Sequence, residues 1–418
     1  GGAAQQLPDP LVRKLYTNKA GSALTAAGNA VTPSNADAFT LADLGLTGSS
    51  AEPSKDELIR WARGEDLLDE DGNIATTVRK TMGDPLHSQP AAIVYGGTEE
   101  SPDVVVYTAT NDGYLHAING STGEELWAFI PHELLDNLTR LYFDPKSKFK
   151  QYGLDGNIVP VVKDVDGDGV VDTADGDFVQ LIFGMRRGGS TIFSLDVTDK
   201  NAPRQLWSVS LPEFGQTWST PVVTRIDIDA VAQNADKAVV VVGGGYDAAH
   251  DTAAHPADPD AVGASVHFLD LKSGEELWSA SAADTADLQL ASMTRAFPNE
   301  TRVIDLSGDG FADRMYGTDL GGQIWRFDIK NGASPATLVT GGVIAQLGAE
   351  GLGAPGAAET RRFYNAPDVS LITDKYQQRR YLSVSVGTGY RAHPFDLTAA
   401  DRFYSLRDGD VFNALTQE

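Results

Sequence analysis

The residues best suited to chemistry lie in one short run. Asp164, Asp166 and Asp168 alternate, Gly169 follows, and Asp172 closes the sequence Asp-Val-Asp-Gly-Asp-Gly-Val-Val-Asp. A hard divalent cation such as calcium takes about six to eight oxygen ligands at roughly 2.3–2.6 Å. Alternate positions of such a run supply them: carboxylates from Asp164, Asp166, Asp168 and Asp172, and the carbonyl oxygen of Val170 at the seventh position. Gly169 permits the sharp turn that wraps a chain round an ion. Magnesium fits less well, because it demands a tight octahedron and releases its waters reluctantly. Carboxylates crowded this closely repel one another unless a cation lies among them, so Ca2+ is the expected cofactor. The alternative is a solvated turn, since Asp and Gly both favour turns.

The flanks indicate the kind of loop. A helix–loop–helix hand needs amphipathic helices and a bidentate Glu at its twelfth position. Here that position is Asp175, and segments 156–163 and 177–184 are short β-branched and aromatic runs that read as strands. The run is therefore expected at the tip of a β-hairpin. A second run, Asp305-Leu-Ser-Gly-Asp-Gly-Phe-Ala-Asp313, occupies the same place in a later repeat. Asp305, Ser307, Asp309, the Phe311 carbonyl and Asp313 would be its ligands. A hydroxyl replaces one carboxylate there, so weaker metal binding or a purely structural turn is expected. Asp227-Ile-Asp229 stands at the intervening position and should not bind.

Around these loops the chain repeats itself. Units of four short strands start near His87, Ile158, Ser219, Phe297 and Ala366, and two contain Gly-Glu-Glu-Leu-Trp, ending at Trp127 and Trp278. Such units cannot bury their faces alone and must stack, which predicts an all-β, modified β-propeller. A tryptophan closing each blade is the docking device of quinoprotein-like propellers. Residues 1–82 are less β-like and are expected to pack on or complete the propeller formed by 83–418. Ser54-Lys-Asp-Glu57 is a capping box opening a short helix that Gly64 stops. Asp69–Asn73 reads as a turn or a weak cation site, and the insertion 248–260, with two histidines, as a mobile solvated loop or a metal site.

Composition narrows the function. The chain has 418 residues, 33 basic and 58 acidic side chains and a formal charge of −25. That balance argues against nucleic acid and anionic membranes as partners. There is no cysteine, hence no thiolate metal site or cysteine nucleophile. Apolar runs are strand-sized, well short of the ~18 residues that span a bilayer. The start Gly1-Gly-Ala-Ala has no signal-peptide pattern and reads as the cut edge of a longer protein. The seven histidines are scattered, and Ser88 and Ser219 lie in strand-start motifs, so no catalytic set is expected.

Several strings resemble the C-terminal domain of the PilY/PilC family, the tip-associated proteins of type IV pili. They are Gly83-Asp-Pro-Leu-His-Ser-Gln-Pro90, Gly184-Met-Arg-Arg-Gly-Gly189, Leu195-Asp-Val-Thr198 and Gln216-Thr-Trp-Ser-Thr-Pro-Val-Val223. Gly243-Gly-Gly-Tyr-Asp247, the stretch from Tyr316 to Asp328, and Gly387-Thr-Gly-Tyr-Arg-Ala-His-Pro394 continue the match, which covers about residues 57–408. The resemblance implies seven blades, five of them readable, and a calcium loop of the type at 164–172. It also implies an extracellular or outer-membrane-associated protein that supports pilus assembly, opposes retraction and contributes to adhesion. Minor pilins, the pilus tip and a host-surface ligand are the implied partners, with calcium occupancy linked to regulation. The Arg-Gly-Asp of some relatives is absent, Arg63-Gly-Glu-Asp66 being no equivalent.

Two other readings of the propeller stand beside this one. A quinone-cofactor dehydrogenase would hold calcium beside the cofactor on the central axis and often a vicinal disulfide, whereas this chain has no cysteine and its best loop is on a hairpin. An integrin-like ligand-binding propeller would carry metal in several hairpin loops. The loops around 248–260 and 342–360 are the segments expected to meet partners, because connecting loops carry function while strands are consumed in packing.

Overall fold

Among the described residues, short β-branched runs separated by glycine and proline turns pair into five separate sheets. A computed structural model of the chain describes residues 2–70, 72–252, 259–348, 356–376 and 378–417. Segments 253–258 and 349–355, inside the two loops expected to meet partners, lie outside the described residues. The chain divides into two compact units, residues 1–188 with 192–208 and residues 189–191 with 209–418.

In the first unit, β1 (Leu15–Tyr16) precedes a meander of β2 (Ala91–Thr98), β3 (Ser101–Ala109), β4 (Leu115–Asn119) and β5 (Glu125–Phe129). β1 joins the outer edge of β5 in parallel, Leu15 opposite Ala128. Residues from the N-terminal segment thus extend the first sheet. A second meander comprises β6 (Ile158–Lys163), β7 (Phe178–Gly184), β8 (Ile192–Asp196) and β9 (Arg204–Val209). Trp127 on β5 is fully buried, and its indole N–H donates to the Lys200 carbonyl at 2.7 Å. The tryptophan that closes the repeat is thus a packing residue with its one polar atom satisfied.

Helix α1 (Lys55–Ala62) begins where the capping box places it. The Ser54 hydroxyl accepts from the Glu57 N–H at 3.2 Å, and the Glu57 carboxylate accepts from the Ser54 N–H at 2.8 Å. The helix buries Leu58, Ile59, Trp61 and Ala62 in the core of this unit. A further helix, α2 (Asn137–Phe143), has no side-chain cap and no counterpart in the sequence reading.

The second unit repeats the meander. β10 (Val222–Arg225), β11 (Ala238–Gly243), β12 (Ser265–Asp270) and β13 (Glu276–Ser281) are extended by β14 (Leu288–Gln289), parallel to β13 as β1 is to β5. The next sheet is β15 (Arg302–Ile304), β16 (Arg314–Thr318), β17 (Gln323–Ile329) and β18 (Val339–Gln346), with short helix α3 (Pro335–Leu338) leading into the last. The expected strand at Phe297-Pro298 is absent. Phe297 instead exchanges backbone bonds with Gly263 and Gly245, at 2.9 and 3.1 Å, and packs beneath Gly317.

The fifth sheet, β19 (Asp368–Asp374), β20 (Arg379–Gly387) and β21 (Phe403–Asp408), has three strands among the described residues rather than the expected four. Two buried arginines hold the end of β21 and the chain after it. Arg314 donates to the Asp410 and Asn413 carbonyls at 3.0 and 3.1 Å, while Arg326 pairs with Asp408 at 2.9 Å. The architecture is all-β with few helices.

Candidate metal centre

β6 and β7 pair in antiparallel register from Ile158 opposite Phe183 to Lys163 opposite Phe178, which leaves residues 164–177 as the hairpin tip. Gly167 and Gly169 both take left-handed backbone conformations, φ 75° and 79°, which a side chain would strain. This curls the loop so that the Asp164 carboxylate accepts the N–H groups of Gly167 and Gly169 at 2.7 and 2.9 Å. Asp168 accepts from the Val170 N–H at 2.8 Å, and Asp166 accepts from the Asp168 N–H at 3.3 Å.

Carboxylate oxygens of Asp164, Asp166 and Asp168 thereby come within 4.8 Å of one another on an exposed loop. Among the described residues no second group of three acidic or histidine side chains converges in this way. The acidic field extends further. Asp175 is pushed up by burial and then by the carboxylates of Asp166, Asp172, Asp177 and Asp168. An all-oxygen, multiply charged donor set of this kind fits a hard divalent cation.

The loop is docked, not free. The Val171 N–H donates to the Tyr95 carbonyl at 3.2 Å, and Val171 packs against the core of the first unit. Gly96, at φ 131°, lets the Val170 side chain approach, its methyls 3.4 Å from where a Cβ would stand. A cavity of about 310 Å³ beside the loop is lined by Tyr95, Asp103, Val171, Asp172, Thr198 and Lys200 among others.

The second run, between β15 and β16, repeats the amide hydrogen bonds to the first and fifth positions of this pattern. Asp305 accepts from Gly308 and Gly310 at 2.6 and 2.8 Å, and Asp309 accepts from Phe311 at 2.9 Å. The ninth position differs. The Asp313 carboxylate accepts the N–H groups of Leu306 and Ser307 at 2.7 and 2.8 Å. In the first loop that work falls to Asp177, which accepts from Val165 at 2.7 Å and Asp172 at 3.0 Å. Sequence spacing pairs Asp313 with Asp172, but the hydrogen bonds pair it with Asp177. Both stand immediately before the outgoing strand. Ser307 donates to Asp305 at 3.3 Å, and the Phe311 ring lies 4.3 Å from the Arg225 guanidinium. At the third such place, Asp227 is paired with Lys237 at 2.6 Å.

Other polar groups that the sequence left scattered prove to be structural pairs. His116 meets Glu125 at 2.7 Å and His267 meets Glu276 at 2.5 Å, so the second Glu of each Gly-Glu-Glu-Leu-Trp is the partner of a histidine nine residues upstream. That repeated spacing was the available signal. Glu125 also takes a bidentate pair from Arg13, at 2.7 and 2.9 Å. Burial raises its pKa, but Arg13 and His116 outweigh burial and hold it at about 2.

Ser265 lies 2.7 Å from the other ring nitrogen of His267, completing a Ser–His–Glu chain. Ser265 is 0 % exposed and His267 1 %, whereas the Glu276 side chain is 37 % exposed. In the insertion, His250 and Asp260 are buried and 2.9 Å apart, with Arg295 3.2 Å from the same carboxylate. Within the described part of that insertion the His250 and Asp260 side chains are packed, while Ala248, Ala249, Thr252 and Pro259 are exposed, as the sequence suggested.

Residues 81–345 match the sequence model of the PilY1 beta-propeller domain. The chain belongs to that family. It is 28% identical over 306 residues to the type IV pilus biogenesis factor PilY1 of Pseudomonas aeruginosa strain PAO1, covering 67% of this chain and 23% of that protein. A PilY1 homologue from Xylella fastidiosa strain Temecula1 is 27% identical over 322 residues, covering 71% and 23%. The chain thus spans about a quarter of the length of these relatives. The crystal structure of the Pseudomonas aeruginosa PilY1 C-terminal domain aligns with a TM-score of 0.47 and 24% identity, over 76% of this chain and 60% of that one. Among the described residues no helix is long and apolar enough to cross a membrane.

Proposed function

We propose that this chain is the calcium-binding propeller of a type IV pilus biogenesis factor, acting at the cell surface or pilus tip as a binding module without catalysis. The observation that carries the calcium reading is the convergence of Asp164, Asp166 and Asp168 on a loop already curled by its glycines. Asp164, Asp166, Asp168 and Asp172 would hold the ion with the Val170 carbonyl. Calcium would supply charge neutralisation and a fixed loop geometry at a docked hairpin tip, rather than chemistry on a substrate.

The pilus assignment draws its support from relatives described as type IV pilus biogenesis factors. Minor pilins or the pilus tip, and a host-surface ligand, are the proposed partners. Occupancy of the hairpin loop is the proposed control on extension, retraction and adhesion. The burial of Ser265 and His267 and the structural pairing of His116 and His250 support a non-enzymatic reading.

The test is metal content on protein purified without chelator, joined to pilus counts in cells carrying Asp164→Ala. Bound calcium in the wild type, its loss in the variant and altered surface piliation are expected. Protein free of calcium even after dialysis against millimolar calcium would overturn the metal reading, and unchanged piliation would overturn the regulatory one.

A further inference from the structure

The two acidic hairpin loops differ in a way that bears on which of them holds an ion. We infer that Asp177 is the positioning residue of the first loop, closing it from outside the ligand set. The five additional residues of that loop are what free Asp172 to act as a ligand. This inference rests on the calcium reading above and concerns how the loop achieves it.

Every acidic hairpin loop here must satisfy the amide groups at its second position and around its closing end. In the second loop, Asp313 does this with its own carboxylate, taking Leu306 and Ser307 at 2.7 and 2.8 Å. Both amides fall on one oxygen, Oδ2, which leaves that oxygen little lone-pair capacity for a cation and only the other oxygen open. Asp313 is the residue at the ninth position, so the run that looks like a ligand set in sequence has its last carboxylate engaged in holding the turn.

In the first loop the two tasks are divided. Asp164 to Asp177 spans thirteen positions, whereas Asp305 to Asp313 spans eight. The extra residues fold into a turn in which Asp175 and Asp177 donate their N–H groups to the Asp172 carbonyl, both at 3.3 Å. Asp177 is carried to the start of β7 and is 5 % exposed. There it takes Val165 and Asp172 through their amides at 2.7 and 3.0 Å. Among the described residues the Asp172 side chain accepts only the exposed Ala174 N–H, at 2.8 Å. Asp177 thus grips the backbone of a ligand residue and leaves that residue's carboxylate on the loop.

Partners that orient metal ligands change affinity by about 10–100-fold when removed. The test is terbium and calcium titration, with europium luminescence lifetimes counting the waters on the bound ion, on wild type, Asp177→Asn, Asp172→Asn and Asp313→Asn. The near-isosteric amide keeps one acceptor oxygen and so preserves folding, which a melt in chelator checks. For Asp177→Asn, affinity should fall about 10-fold or more at unchanged stoichiometry and unchanged bound water. Asp172→Asn should add water to the ion, and Asp313→Asn should leave affinity and stoichiometry alone.

Wild-type affinity in Asp177→Asn would overturn the inference, as would added water there, which would make Asp177 a ligand. A stoichiometry lowered by Asp313→Asn would overturn the division between the loops. Absence of lanthanide and calcium binding in the wild type would instead strike the calcium reading itself.

Discussion

Replacing Asp168 by alanine should separate two effects that calcium normally combines. Asp168 lies in the converging carboxylate group and is exposed, its only hydrogen-bonded role as an acceptor being a 2.8 Å bond from the Val170 amide. Without metal, the substitution removes an exposed hydrogen bond and relieves repulsion among neighbouring carboxylates. The net change in stability should then stay within about 0.5 kcal/mol, as for ordinary surface changes. With metal the balance reverses. An ion that binds only the folded state at 100 times its dissociation constant stabilises by about 2.7 kcal/mol. The loop belongs to a compact unit comprising residues 1–188 and 192–208. For a cooperative unit of that size, about 2–4 °C accompanies each kcal/mol, so calcium should raise the wild-type melting temperature by roughly 5–10 °C. The assay is a fluorescence melt of both proteins in chelator and across a calcium series. In chelator the two curves should nearly coincide, and in calcium the wild type should move while Asp168→Ala moves by about 2 °C or less. A full calcium response in the variant would refute the reasoning and direct attention to residues 305–313. A wild type that does not respond while retaining no calcium would make the loop an acidic turn.

The buried Arg13–Glu125 pair gives a pH prediction. Glu125 ionises at about 2 in the fold against an ordinary 4.5. Its contribution, roughly 3 kcal/mol, should be complete above pH 4.5 and lost as pH falls towards 2, which urea unfolding at several pH values would follow. Arg13→Ala leaves Glu125 buried without its main partner and should cost about 3–5 kcal/mol near neutral pH, a loss that a midpoint near wild type would contradict. Ser54→Ala removes the N-cap of α1 and should cost about 1 kcal/mol, measured as a shift in urea midpoint with unchanged slope. Trp278→Ala should be far more damaging, about 3–5 kcal/mol, since Trp278 is 1 % exposed and stacked on Phe268 at 4.4 Å. A loss below about 1 kcal/mol would show the blade-closing tryptophan to be dispensable.

What the sequence alone determined was whatever rests on neighbours along the chain. Short β-branched and aromatic runs between turn residues located β2 to β13, because such side chains favour extended backbone whatever strand they later pair with. Ser54 and Glu57 marked the start of α1 because a capping box closes within one turn. The spacing of Asp164, Asp166 and Asp168 pointed to their convergence, since glycine at 167 and 169 lets the loop take the left-handed turns that curl it.

Tertiary structure decided which distant group each polar atom takes. Arg13 and Glu125 are 112 residues apart, and nothing local says that β1 will lie along β5 and bring them together. Among the described residues no fourth strand follows β21, and there the Asp410 and Asn413 carbonyls accept from Arg314, in β16, nearly a hundred residues earlier. The same reason separates Asp172 from Asp313. Their positions in the run are identical, but Asp313 accepts the amides of Leu306 and Ser307 while Asp172 accepts that of Ala174. Which amides each reaches is set by where the outgoing strand leaves the hairpin.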